Sequence, residues 1–173
     1  LDGMSSRILN LAFLALIAAA FTPSVVAQVS PVRLRVEQVS KSDTNSYKTV
    51  QSRSLNVQVS NSSPEAVELK LKYVIFGRNM KGGDIVTVGQ GEVPVSVKPQ
   101  GTEKLTTPPA TAVSQEARTG SKGKSEEAGS RIMGQGVQAW KGETMVAEYY
   151  EPASVKEHFG KAPPAEILDK KKK

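Results

Sequence analysis

Residues 67–76 read Val-Glu-Leu-Lys-Leu-Lys-Tyr-Val-Ile-Phe. Val67, Leu69, Leu71, Tyr73 and Ile75 fall on one side of an extended chain, and Glu68, Lys70 and Lys72 fall on the other. Side chains alternate across a strand with a period of two, so this stretch predicts a half-buried strand that turns apolar on both faces at Val74 and Phe76. The same period recurs outward from it. Upstream, Leu55, Val57 and Val59 alternate with Ser54, Asn56, Gln58 and Ser60 before the turn signal Asn61-Ser62-Ser63-Pro64. Farther back, Val32, Leu34 and Val36 oppose Arg33, Arg35 and Glu37, and the polar stretch Ser40 to Ser46 is expected as a loop.

Downstream, Gly82-Gly83-Asp84 predicts a turn into a strand at Ile85 to Val88, and Gly89-Gln90-Gly91 a second turn into Val93, Val95 and Val97. Pro94 has no N–H to give a ladder, which places its strand at an edge or a bulge. Residues 114–130 hold Glu116, Arg118, Lys122, Lys124, Glu126 and Glu127 among small polar residues, with only Ala as an apolar side chain. Such a stretch buries too little to offset its ordering entropy and is expected as a mobile loop. Ile132 to Trp140 and Thr144 to Tyr150 then form a hairpin through Lys141-Gly142-Glu143. Ala153 to Phe159 is expected as one or two helical turns, and Pro163-Pro164 opens a charged tail.

Seven short strands with turns between them and no long amphipathic helix predict an all-β fold, an antiparallel two-sheet β-sandwich. Over Val32 to Tyr150, and most of all in the final hairpin, the chain resembles immunoglobulin-like and fibronectin type III-like domains of secreted bacterial proteins. That resemblance implies a sandwich and no particular activity, and the paired cysteines of immunoglobulin domains have no counterpart here. A closed barrel of the same strands is the competing architecture.

The N-terminal 27 residues read as a targeting segment. Met4-Ser5-Ser6-Arg7 is a short positive start, Ile8 to Phe21 is largely apolar, and Val25-Val26-Ala27 suits cleavage ahead of Gln28. The apolar run falls short of the roughly 20 residues that span a bilayer. The expectation is therefore an exported protein, periplasmic or extracellular, with no membrane span after cleavage. The domain plan is a signal peptide over 1–27, a sandwich domain over 28–159 containing the loop 114–130, and a Pro- and Lys-rich tail over 160–173.

Composition removes several classes of chemistry. The 173 residues include no cysteine, which excludes thiol catalysis, disulfides, cysteine-bound zinc and lipidation of a new N-terminal cysteine. Aromatics make up 5%, few for a stacking surface for sugars or bases, and no specific nucleic-acid partner is expected. The net charge is +6, of which four charges sit on Lys170, Lys171, Lys172 and Lys173, so the body is close to neutral. Those four lysines, with Lys122 and Lys124 of the loop, are the candidates for weak contact with an anionic polymer.

A search for catalytic sets leaves little. His158 is the single histidine, with no local nucleophile or orienting carboxylate. Glu148 with Glu151, and Glu126 with Glu127, are candidate carboxylate pairs, and Glu148 is expected to face solvent beside a lysine of the neighbouring strand. Asp43-Thr44-Asn45 starts like a calcium loop, but Lys48 and Ser54 stand where its Gly and Glu belong. No cofactor or metal is expected. Phe76, Tyr73 and Trp140 read as core. The functional expectation is a secreted, non-enzymatic binding or structural module. It would meet an unidentified protein partner of the envelope or extracellular space through Trp140, Tyr149 and Tyr150 of the last hairpin or the edge strand around Pro94. The rival readings are an exported hydrolase with a carboxylate-based site and an adaptor to anionic polymers through the lysine tail.

Overall fold

The structure, a computed structural model, describes residues 30–120, 123–166 and 168. The expected signal peptide, Lys122 and Lys170 to Lys173 lie outside the described residues. The strands are β1 (Val32–Asn45), β2 (Lys48–Asn61), β3 (Val67–Asn79), β4 (Ile85–Val97), β5 (Thr102–Thr106), β6 (Ala110–Gln115), β7 (Arg118–Gly120), β8 (Gly123–Ser125), β9 (Ala128–Lys141) and β10 (Thr144–Glu151). A 3₁₀ helix, Ala153–His158, follows.

Among the described residues the paired strands are antiparallel; they form two layers, with β7 and β8 as a separate two-stranded hairpin. In the β2 sheet, β1 lies on one side of β2, while β5 and β6 share its other side, β6 against the first half of β2 and β5 against the second. In the β3 sheet the order is β4-β3-β9-β10. The start of β9 also pairs with the end of β6 through Ser114 and Gln115, which stitches the layers at one corner. β1, β4 and β10 each pair with one strand only, so the molecule is a sandwich with open edges and not a closed barrel.

The core lies where the alternation places it. Leu55, Val57 and Val59 of β2 meet Leu69, Leu71, Tyr73 and Ile75 of β3, with Val137 and Ala139 of β9, and all are buried. Phe76 and Val74 point away from this core into a second, smaller one, closed over the β3 sheet by Val155 of the 3₁₀ helix together with Phe159 and Tyr150. The doubly apolar end of the 67–76 stretch is thereby explained: its outer face has a lid.

Several expectations are corrected. Residues 40–46 are not a loop, since β1 runs to Asn45 and pairs with β2 along its whole length. That also removes the calcium-loop likeness of Asp43, which sits in a strand. Gly89-Gln90-Gly91 is not a turn but the middle of β4. A Cβ at Gly89 would come within 2.5 Å of the Ala110 side chain, and one at Gly91 within 2.6 Å of the Tyr73 hydroxyl, so both glycines serve close approach inside a strand. Residues 114–130, expected as a loop, contain the end of β6, the β7–β8 hairpin and the start of β9. Backbone pairing with neighbours supplies there what apolar burial could not.

The segment after the 3₁₀ helix is likewise placed. Thr87 on the β4 edge donates its N–H to the Pro163 carbonyl at 2.7 Å and accepts from the Ala165 N–H at 2.8 Å, while its hydroxyl donates to the Ala162 carbonyl at 3.0 Å. This strap covers the first part of the β4 edge and leaves the part around Pro94 open.

Candidate functional site

The outer face of the β3 sheet is built in rows, because register fixes which residues stand side by side. One row runs Glu92, Lys72, Gln138, Glu148 across β4, β3, β9 and β10. The next row runs Pro94, Lys70, Trp140, Met145. On the other side stand Gln90, Val74, Gly136 and Tyr150. Trp140, Tyr150 and Pro94, far apart in sequence, thus come onto one face, and Trp140 and Pro94 into one row.

Hydrogen bonds and charges set the aromatics. Gln138 donates from Nε2 to the Tyr150 hydroxyl at 2.7 Å and accepts the Trp140 Nε1–H at 3.0 Å. The Lys72 ammonium lies 5.3 Å from the centre of the Trp140 ring, and that of Lys156 lies 5.6 Å from the Tyr150 ring. Each cation has a carboxylate partner: Lys72 meets Glu92 at 3.3 Å, and Lys156 meets Glu148. Lys70 adds a second contact to Glu92 at 3.6 Å. The hydrogen bond from Lys72 holds the Glu92 carboxyl below the usual carboxylate range, and the bond to Glu148 raises the Lys156 ammonium. Burial pushes the Tyr150 hydroxyl up. Gly136 makes room for Tyr150, since a Cβ there would come within 2.8 Å of its ring and 2.9 Å of Phe159. A groove of about 440 Å³ opens beside these rows, lined by Lys72, Gln90, Glu92, Gln138 and Phe159 among others.

Trp140 is half-buried and does not belong to the core as expected, because its position in β9 has outward parity and the 3₁₀ helix covers only the Tyr150 end. Met145 is 39% exposed and extends the row, a residue that no local pattern singles out. Glu148 finds its lysine on the 3₁₀ helix, not on the neighbouring strand.

Tyr149 goes to the opposite face. Its hydroxyl donates to Glu151 at 2.8 Å, and Gln135, buried on β9, donates from Nε2 to the same carboxylate oxygen at 2.8 Å. Arg53 donates to Gln135 at 2.7 Å and to Ser40 at 3.1 Å. Burial lowers the Arg53 guanidinium and raises the Tyr149 hydroxyl, the latter helped by Glu151. This network satisfies the buried Gln135 amide. The expected carboxylate pair is split between the two faces of β10: Glu148 stands beside Gln138 and Glu151, itself exposed, beside Gln135, because three positions along a strand reverse the face. Glu126 is bound to Lys81 at 3.1 Å. His158 meets its neighbour Glu157 at 3.4 Å. Of Lys124 the strand position in β8 alone is described. Among the described residues no group of three or more His, Asp or Glu could hold a metal ion, and no helix is long and apolar enough to cross a membrane.

No family model matches the chain, and no curated protein matches it. A crystal structure named as a beta-galactosidase of Bacteroides fragilis is similar over 66% of this chain and 15% of its own, at 15% identity and a TM-score of 0.42. A calcium-binding mutant of Bacteroides uniformis beta-glucuronidase 2 is similar over 65% of this chain and 12% of its own, at 13% identity and a TM-score of 0.38. A protein from Akkermansia muciniphila is similar over 79% of this chain and 80% of its own, at 16% identity and a TM-score of 0.36. This chain therefore spans a small fraction of the two named glycosidases. Likenesses at this level carry no family or activity, and the all-β sandwich rests on its own strand pairing.

Proposed function

We propose that the protein is an exported, non-enzymatic binding module that holds a protein partner against the outer face of the β3 sheet. The observation that carries this reading is the row Pro94, Lys70, Trp140, Met145, where three strands and an edge bring apolar and aromatic surface together outside any core. Aromatic and methionine side chains are the residue types that anchor protein interfaces, and the bound ion pairs beside them give a polar rim. The placement of Glu148 and Glu151 on opposite faces of β10 favours binding over carboxylate-based hydrolysis. The division into β1-β2-β5 and β4-β3-β9-β10 supports the immunoglobulin-like reading, since it repeats the A-B-E against C-F-G partition of that fold. Export rests on the charged, apolar and small-residue order of residues 4–27.

The test is crosslinking capture from the envelope and medium of the producing cell with the full chain and with Trp140→Ala plus Met145→Ser. Loss of one specific protein from the variant is the expected result, and an unchanged capture pattern contradicts the assignment. N-terminal sequencing of the exported form should begin at Gln28.

A further inference from the structure

The outer face of the β2 sheet has a different chemistry, and it stands apart from the protein-binding face. Register sets Arg35, Gln58 and Lys104 in one row, Glu37, Asn56 and Thr106 in the next, and Arg33, Ser60 and Thr102 on the other side. Over the first two rows lies an open cavity of about 570 Å³ lined by Arg35, Glu37, Asn56, Gln58, Lys104 and Thr106, with Val57 and Leu105 beneath them. Arg33, Arg35 and Lys104 supply three cations, and Glu37, 2.9 Å from Arg35, supplies one anion, so this face keeps an excess of positive charge. Between the cations the rows carry amides and hydroxyls, the Thr106 hydroxyl donating to Asn56 Oδ1 at 2.8 Å.

We propose that this face binds an acidic polysaccharide, with Arg35, Lys104 and Arg33 meeting its carboxylates and Asn56, Gln58 and Thr106 meeting its hydroxyls. Guanidinium and ammonium groups make charge-assisted hydrogen bonds to carboxylates. Amides offer donors and acceptors together, which suits a hydroxyl that is both. The absence of an aromatic or large apolar side chain from these three rows argues against base stacking and against insertion into a membrane. Arg33 and Arg35, two positions apart on a strand, stand about 7 Å apart along it, and Lys104 lies two strands over from Arg35, about 10 Å across the sheet, so a chain crossing the face would meet more than one cation.

The experiment measures binding of the full chain to oligogalacturonate by calorimetry at low salt, against methyl-esterified oligogalacturonate of the same length, polyglutamate and single-stranded DNA. Expected is binding to oligogalacturonate that esterification abolishes, that exceeds binding to the other two polyanions, and that falls at least about tenfold in Arg35→Gln plus Lys104→Gln. Asn56→Ala plus Gln58→Ala should remove the preference over polyglutamate while leaving charge-driven binding. All four positions are surface positions, and circular dichroism confirms the fold of each variant. A second variant with Lys170 to Lys173 changed to Gln separates the tail. The proposal is overturned by no binding to oligogalacturonate, by equal binding to polyglutamate or DNA, or by binding that survives Arg35→Gln plus Lys104→Gln and is lost with the tail lysines.

Discussion

The two outer faces of this sandwich solve the same problem in opposite ways. The β3 sheet buries part of its outer face under the 3₁₀ helix, so β3 carries apolar residues on both sides at Val74 and Phe76, and the lysines beside that cover, Lys70, Lys72 and Lys156, are paired with Glu92 and Glu148. The β2 sheet leaves its outer face bare, and there serine, threonine, asparagine and glutamine stand between Arg33, Lys104 and the Arg35–Glu37 pair. The covered sheet carries aromatics at the margin of its cover, and the bare one is mostly polar, with Val39 as its exposed apolar residue. This difference in chemistry is why we propose a different partner for each face.

The largest test of that contrast is Phe76→Ala. Emptying a fully buried site under the helix should cost about 3–5 kcal/mol of unfolding free energy in a denaturant titration, whereas Asn56→Ala on the bare face should stay within about 0.5 kcal/mol. Equal effects would mean that the second core contributes little. Next in size is the loss of partner affinity in Trp140→Ala, about 2 kcal/mol or roughly thirtyfold if Trp140 is an anchor, read by titration against the captured partner with the fold unchanged. Gly136→Ala should cost about 1–3 kcal/mol, because the new methyl meets Tyr150 and Phe159, and should shift the Tyr150 ring resonances.

The smallest effect concerns Glu92. Its carboxyl titrates lower in the folded chain than in the unfolded one, so its contribution to stability is present above the unfolded value and fades as pH falls through the folded value. Lys72→Met should raise the Glu92 titration midpoint toward the ordinary carboxylate value in a carboxyl-detected NMR titration, and weaken the acid dependence of stability in that window. An unchanged midpoint would mean that the ladder from Glu92 to Trp140 is not formed in solution.

Much of this was legible in the residues. The alternation of 55–59 and 67–75 named the two facing core strands, and the apolar Val74 and Phe76 announced a second buried face. Glycine misled twice for one reason: the symbol that marks a turn also marks a strand passing close to a neighbour, as Gly89 does at Ala110. The 114–130 stretch misled because its strands are held by backbone pairing, which leaves no hydrophobic period to read. Period two could have separated Tyr149 from Tyr150 and Glu148 from Glu151 without any structure. What no local pattern could supply is the row that joins Pro94, Lys70, Trp140 and Met145, since register between distant strands decides it.

The most direct test places a photo-reactive residue at Met145 and, in a separate protein, at Gln58, and illuminates both in the producing cell. A single protein crosslinked from position 145 and absent from position 58 is the predicted result. The same protein crosslinked from both, or from position 58 alone, would contradict the assignment of the partner to the outer face of the β3 sheet.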